Sequence, residues 1–210
     1  RFSVVIACYN AEETLPETVQ SLLQQTETDW EAICVDDGST DATLGLLHAL
    51  AARDPRFKVI HQDNAGPSRA RNVGVAEAQG DWVAFLDADD IWCANKLAHI
   101  ATVASDVPDA AAIYGRISFF DPRSGKITTF STVTEGPTSI TALLGENPVC
   151  TLSNLCVRRD SFHRVGGFRE DMRFSEDLEF LIRLVASGEM LFGTAVALVR
   201  YRASVDGLSA

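Results

Sequence analysis

The sequence predicts an α/β fold in which a mostly parallel central sheet is flanked by helices, and three observations carry that expectation. Short apolar runs rich in β-branched and aromatic residues recur at 2–7, 32–35, 57–60 and 82–86, separated by stretches with helical spacing. The runs are continuous rather than alternating, which is the pattern of strands buried on both faces. Two of them end in acid, Asp36-Asp37 after the second and Asp87-Ala88-Asp89-Asp90 after the fourth. In open α/β sheets, ligands sit beyond the carboxyl ends of strands.

The elements follow in order. After the strand at 2–7, Leu15, Val19, Leu22 and Leu23 form the stripe of an amphipathic helix, with Asn10 and Glu13 spaced as a capping box. The strand at 32–35 leads through Asp36-Asp37-Gly38-Ser39 to a helix carrying Leu44, Leu47 and Ala51. Beyond the strand at 57–60, Asn64-Ala65-Gly66-Pro67 breaks the chain, and 68–78 reads as a helix of small residues bearing Arg69 and Arg71. A helix at 94–103 follows the acidic strand end. Residues 111–114 and 117–120 read as two strands, and Asp121-Pro122-Arg123-Ser124-Gly125 as a hairpin turn before a strand at 127–130. Periodicity is low over 131–147. A strand at 155–157, a turn at Gly166-Gly167-Phe168, a helix capped by Ser175 and stopped by Gly188, and a strand at 194–201 complete the reading, which places a small additional β element in the C-terminal half.

Composition narrows the function. The 210 residues are 46% hydrophobic, enough for a full core in one domain. A formal net charge of −11 argues against nucleic acid as a partner, so a phosphorylated ligand needs local compensation by a metal or a few placed arginines. The five cysteines are odd in number and lack C-x-x-C spacing, which fits neither a disulfide framework nor a zinc site and suits a reducing, cytoplasmic compartment. The four histidines lack ligand spacing, and no apolar run approaches the roughly 18 residues of a membrane span.

Four groups of residues can carry chemistry. Asp87, Asp89 and Asp90 crowd three like charges into one loop, and a hard cation such as Mg²⁺ or Mn²⁺, held by one or two carboxylates with substrate phosphates completing its shell, relieves that repulsion. An acidic turn capping the next helix is the plainer alternative. At the first strand's end, Cys8-Tyr9-Asn10 stands where a dinucleotide fingerprint would need glycines, and Tyr9 can stack on a base or simply cover the sheet edge. The carboxylates Asp36-Asp37 can accept from the ring N–H of uracil, thymine or guanine, or form an Asx turn into Gly38. Arg71 can reach a diphosphate oxygen, and Glu176-Asp177 opens a helix, where acidic residues also favour the macrodipole.

Taken jointly, Tyr9-Asn10, Asp36-Asp37-Gly38-Ser39, Ala70-Arg71-Asn72, Asp87-Ala88-Asp89 with Trp92 and Leu97, and Glu176-Asp177 resemble the pattern of the family 2 glycosyltransferases of the GT-A (Rossmann-like) fold, over about residues 2–201. The resemblance implies a single domain over 1–210, with a nucleotide-binding half at 1–105 and an acceptor-side half at 106–210. It implies a nucleotide-sugar donor, UDP-sugar first, a carbohydrate, lipid-linked or other hydroxyl acceptor, and Mn²⁺ or Mg²⁺. Ala7, Tyr9, Asn10, Asp36, Asp37, Arg71, Asp87 and Ala88 would line the nucleotide site. Within it, Tyr9 would stack on the base, Asp37 would accept from its N3 and Asp87 would face the ribose and metal region. Asp89 would be the metal ligand, and Asp177, supported by Glu176, the general base. Departures are Ala7 and Ala94 where members often carry proline, and Ala203-Ser204 where a histidine often follows the final Tyr-Arg. No Q-x-x-R-W is present, which favours transfer of single sugars or a truncated chain. Polysaccharide biosynthesis at the cytoplasmic face of a membrane, reached through segments outside this chain, is the setting the resemblance implies. The competing reading is a nucleotide-sugar-binding or scaffolding domain without catalysis.

Overall fold

The computed structural model describes residues 1–172 and 174–202. In chain order the elements are β1 (Phe2–Cys8), α1 (Leu15–Leu23), β2 (Trp30–Asp37), α2 (Thr43–Ala51), β3 (Phe57–Gln62), α3 (Pro67–Ala76) and β4 (Trp82–Phe85). There follow β5 (Ile91–Trp92), α4 (Lys96–Asp106), β6 (Ala110–Phe120), β7 (Ile127–Phe130), β8 (Gly136–Pro137) and α5 (Ile140–Gly145). A 3₁₀ turn at Leu152–Asn154 leads into β9 (Leu155–Arg158), α6 (Arg159–Val165), α7 (Glu176–Ala186) and β10 (Met190–Arg202).

The strands form one sheet in the order β3-β2-β1-β4-β9-β6-β10-β5, with β7 on β6 and β8 on β10. From β3 to β4 every pairing is parallel, and β6 pairs parallel with β10. Between those blocks β9 runs antiparallel to both β4 and β6. The α/β architecture with its parallel half is therefore as expected, and the additional β element is the hairpin of β6 with β7, extended by β8.

Strand β1 shows why the runs are continuous. Val4, Ile6 and Cys8 pack into the core shared with α1, α2 and α4, while Val5 joins the opposite core with α3, α6 and α7. Helix α3 lies close on the sheet because it carries Gly74: a Cβ there would stand 2.5 Å from Val5 Cγ1. On that same face Phe85, Phe162, Phe168 and Phe180 interlock, with centroids 5.2 Å apart for Phe85 and Phe168 and 4.9 Å for Phe168 and Phe180. Such pairs contribute about 0.5 to 1.5 kcal/mol each beyond their buried area. They pack α7, which carries Asp177, against β4, which Asp87 follows.

Several local expectations are corrected. Asn10 and Glu13 do not cap α1, which starts after Thr14; Pro16 lacks an N–H and is accommodated in the first turn. Ser175 occupies the N-cap of α7 at φ 59°, and its hydroxyl makes no capping bond. The two strands at 111–114 and 117–120 are one, because Gly115 serves close approach rather than a break: a Cβ there would meet Leu198 Cδ1 at 2.5 Å. The aperiodic stretch 131–147 holds β8 and α5, the latter capped by Ser139, whose hydroxyl accepts from the Ala142 N–H at 3.2 Å. The last strand starts at Met190, with register shifts near Gly193 and Ala197 that blur its periodicity. Elements β5 and α6 were not expected.

Candidate active site

Strand β1 has β2 on one side and β4 on the other, so the strand order reverses there, and in open α/β sheets such a switch point leaves a crevice at the carboxyl ends of the strands. Tyr9-Asn10 follows β1, Asp36-Asp37 ends β2, and Asp87 to Asp90 follow β4. Packing of α7 brings Glu176-Asp177 to the same region through Arg71.

Arg71 is buried, and its guanidinium donates from Nη2 to Asp87 Oδ1 at 2.7 Å and from Nη1 to Glu176 Oε1 at 3.2 Å. Burial lowers its pKa, yet the net shift is upward, from Asp87 first and then Glu176 and Asp177. A single fixed cation therefore gathers carboxylates from β4 and α7. Beside it, Asn72 closes two bonds to the Phe168 backbone, with Nδ2 donating to its carbonyl at 2.8 Å and Oδ1 accepting from its N–H at 3.0 Å.

The loop after β4 is held from four directions. The Ala88 carbonyl accepts from Thr14 Oγ1 at 2.9 Å and Thr18 Oγ1 at 3.0 Å, both on or beside α1. Arg202 Nε donates to the Asp89 carbonyl at 3.0 Å, and its Nη2 reaches Glu17. Ser153 Oγ accepts from the Asp87 N–H at 2.8 Å, and Thr151 Oγ1 lies 2.9 Å from Asp87 Oδ2 and 3.1 Å from Asp90 Oδ2. These contacts leave the Asp89 side chain exposed toward the crevice mouth.

Electrostatics in this loop follow from crowding. Burial, with Asp87 next, pushes the Asp90 carboxyl up to about 8. Partial desolvation, with Asp87 next, also raises Asp89, although its side chain is open to water. No group of three or more His, Cys, Asp or Glu side chains converges as a ready ligand set among the described residues. Oxygen donors from one or two carboxylates, under mutual repulsion, fit a hard divalent cation whose remaining positions go to water and phosphate. Ala203 and Ser204, where the family pattern often supplies a histidine, lie outside the described residues.

On the other side of the crevice, Tyr9 is 54% exposed at the end of β1, and Ala7 is half-buried beneath it. Asn10 adopts φ 47°; its N–H donates to Ser39 Oγ at 3.0 Å and its Oδ1 accepts from the Thr40 N–H at 2.8 Å, stapling the loops after β1 and β2. Asp37 accepts from Gln62 Nε2 at 2.7 Å and from the N–H groups of Ala65 and Gly66 at 2.9 Å. A carboxylate has about four acceptor positions, so one remains open. Asp36 is fully buried, with Oδ2 2.8 Å from His61 Nδ1 and Oδ1 unpartnered among the described residues. Asp177 accepts from Asn147 Nδ2 at 2.7 Å through Oδ2 and from the Leu178 N–H at 2.7 Å through Oδ1. Thr14, Thr18, Asn147, Thr151, Ser153 and Arg202 were missed from sequence; each is an isolated polar residue whose only signal is burial or a distant partner.

Comparison with known proteins bears on the family and the fold. The model of the "Glycosyl transferase family 2" family matches residues 3–166. A putative teichuronic acid biosynthesis glycosyltransferase, TuaG of Bacillus subtilis (strain 168), is 44% identical over 96 residues, covering 45% of this chain and 38% of that relative. The chain thus spans well under two-thirds of the length of such curated relatives. Among solved structures, S. aureus TarS 1–349 in complex with UDP-GlcNAc superposes with a TM-score of 0.80 at 23% identity, over 99% of this chain and 60% of that one. The mannosyltransferase PcManGT from Pyrobaculum calidifontis, in complex with GDP-Man and Mn²⁺, gives 0.76 at 19% identity over 99% and 58%. The sheet order, the carboxylates at the ends of β2 and β4 and the matched family model lead to one conclusion: the chain belongs to glycosyl transferase family 2 and has its GT-A fold.

Proposed function

We propose that this chain transfers a sugar from a nucleoside-diphosphate sugar, UDP-sugar first, to a hydroxyl of a carbohydrate, lipid-linked or other acceptor, with inversion at the anomeric carbon. The observation that carries the reading is the gathering of Asp87, Glu176 and Asp177 around the crevice by buried Arg71, across elements distant in sequence. Donor and acceptor would meet between the halves at 1–105 and 106–210.

Each residue has a task in that reaction. Tyr9 offers an open ring for the base, and the remaining acceptor position of Asp37 takes a ring N–H. Asp36, Asn10, Ala7 and Ala88 shape the floor, and Asp87 faces the ribose. Asp89 would hold Mn²⁺ or Mg²⁺, which when bound neutralises charge on the leaving diphosphate. Arg71 keeps the surrounding carboxylates in place and adds a positive charge near the diphosphate. Asp177 takes the proton of the acceptor hydroxyl as that oxygen attacks from the face opposite the diphosphate, and Glu176 keeps Arg71 against it. Names of relatives point to cell-surface polysaccharide as the setting, as for the teichuronic acid relative. No helix among the described residues is long and apolar enough to cross a membrane, so association with the cytoplasmic face would run through other segments.

A donor screen by thermal shift, with Mn²⁺ and with chelator, tests this directly. A donor at 100 times its Kd adds about 2.7 kcal/mol of stability. Metal-dependent stabilisation by nucleotide sugars followed by turnover supports transfer, whereas stabilisation without turnover on any acceptor favours a binding or scaffolding domain.

A further inference from the structure

We propose that Asn147 is a positioning residue for Asp177, its side-chain amide holding that carboxylate in the orientation in which it receives the acceptor's proton. The inference rests on the reading of Asp177 as the base.

Asn147 precedes the 3₁₀ turn, and both ends of its amide are committed. Nδ2 donates to Asp177 Oδ2 at 2.7 Å, and Oδ1 accepts from the Val149 N–H at 3.1 Å. Those partners settle the amide's orientation, because a flipped amide would set two acceptors against each other at Asp177 and two donors at Val149. The second oxygen of Asp177 takes the Leu178 N–H. Each carboxylate oxygen thus has one donor in place and a lone pair left for an incoming hydroxyl.

The groups facing Asp177 make this bond matter. Glu176 adjoins it on α7, Arg71 approaches from α3, and the Cys150 thiol, pushed up to about 11 by burial, then Glu146 and then Asp177, lies on the segment following Asn147. Arg71 is already engaged by Asp87 and Glu176. Asn147 is therefore the side-chain donor that Asp177 receives from the acceptor half.

The same short segment also sends Thr151 to Asp87 and Asp90, and Ser153 to the Asp87 N–H. Cys150 between them adopts φ 62°, a strained conformation for a non-glycine residue that persists where flanking contacts impose it. Asn147 thereby ties the base to the segment that also holds the loop after β4.

The test is kcat and donor KM for Asn147→Ala and Asn147→Asp beside wild type and Asp177→Asn, with melting temperature measured on each. Asn147→Asp keeps the acceptor for Val149 and the side chain's size, so it covers the case in which Asn147→Ala fails to fold. Losing a hydrogen bond to a charged group predicts a fall in kcat of about 10-fold to 100-fold with donor KM unchanged. Wild-type kcat in a folded Asn147 variant, or a fall in kcat matched by a rise in donor KM, overturns the proposal. Turnover retained by Asp177→Asn overturns the base reading itself, whatever the Asn147 variants do.

Discussion

Arg71 Nη2 sits 2.7 Å from Asp87 Oδ1, a bond between the middle of α3 and the loop after β4 in which both side chains are largely withdrawn from water. Its other nitrogen bonds Glu176, so removing the guanidinium strands two carboxylates at once. Breaking a buried ion pair by deleting one partner typically costs about 3 to 5 kcal/mol. Arg71→Met should lower unfolding stability by that order in denaturant titration, and high salt should not restore it. A variant with wild-type stability would mean that Arg71 is held for its ligand and contributes nothing to the fold.

Metal dependence follows from the loop that Arg71 supports. UDP should bind more tightly with Mn²⁺ or Mg²⁺ than with chelator, and Asp89→Asn should remove most of the difference while leaving the fold intact, since its carboxylate is exposed. Its side chain makes no hydrogen bond to another residue among the described residues. Calorimetric titration reads both. Equal affinity with metal and chelator would contradict the assignment of Asp89.

The pH dependence of the metal-free fold has a definite sign. Asp90 titrates near 8 in the folded chain, raised by burial first and Asp87 second, against an ordinary value of 3.8. Between those values the folded state holds a proton that the unfolded state has released, so this contribution is fully present below about pH 4 and is lost as pH rises through about 8. Denaturant unfolding in chelator should therefore show stability falling over that window, and Asp90→Asn should flatten it. A wild-type slope in the variant would place the titration elsewhere.

Base selectivity tests the other side of the crevice. Asp37 has one acceptor position left after Gln62, Ala65 and Gly66, and a ring N–H can fill it where the ring acceptor nitrogen of cytosine or adenine would be repelled. UDP, TDP or GDP should outcompete CDP and ADP in displacement titrations. A series won by CDP or ADP would reduce Asp37 to the loop anchor that its present bonds describe.

How much of this was legible beforehand depends on the range of the interaction. Continuous runs such as Val4 to Ile6 reported burial on both sheet faces, because two-sided cover removes alternation, and the acidic strand ends marked the crevice. Local chemistry misled where a distant partner won. Asn10 has the spacing of a cap, yet its amide serves the loop at Ser39 and Thr40. Gly115 resembles a break because nothing in the chain nearby announces Leu198. Thr151 and Ser153 carried no periodic signal, and their roles arise only once β9 inserts antiparallel beside β4.

The central claim is that Asp177 is a base and not merely an acidic residue favoured at a helix start, and single-turnover transfer by Asp177→Asn measures it most directly. Asparagine keeps the side chain's size and an acceptor for the Leu178 N–H. The account predicts unchanged donor affinity, a melting temperature lowered only by the loss of the Asn147 bond, transfer slowed about 10²- to 10⁴-fold, and a wild-type product of inverted anomeric configuration by NMR. A favourable dipole interaction is worth only about 0.3 to 1 kcal/mol and touches stability. Transfer at the wild-type rate with a lowered melting temperature would contradict the account.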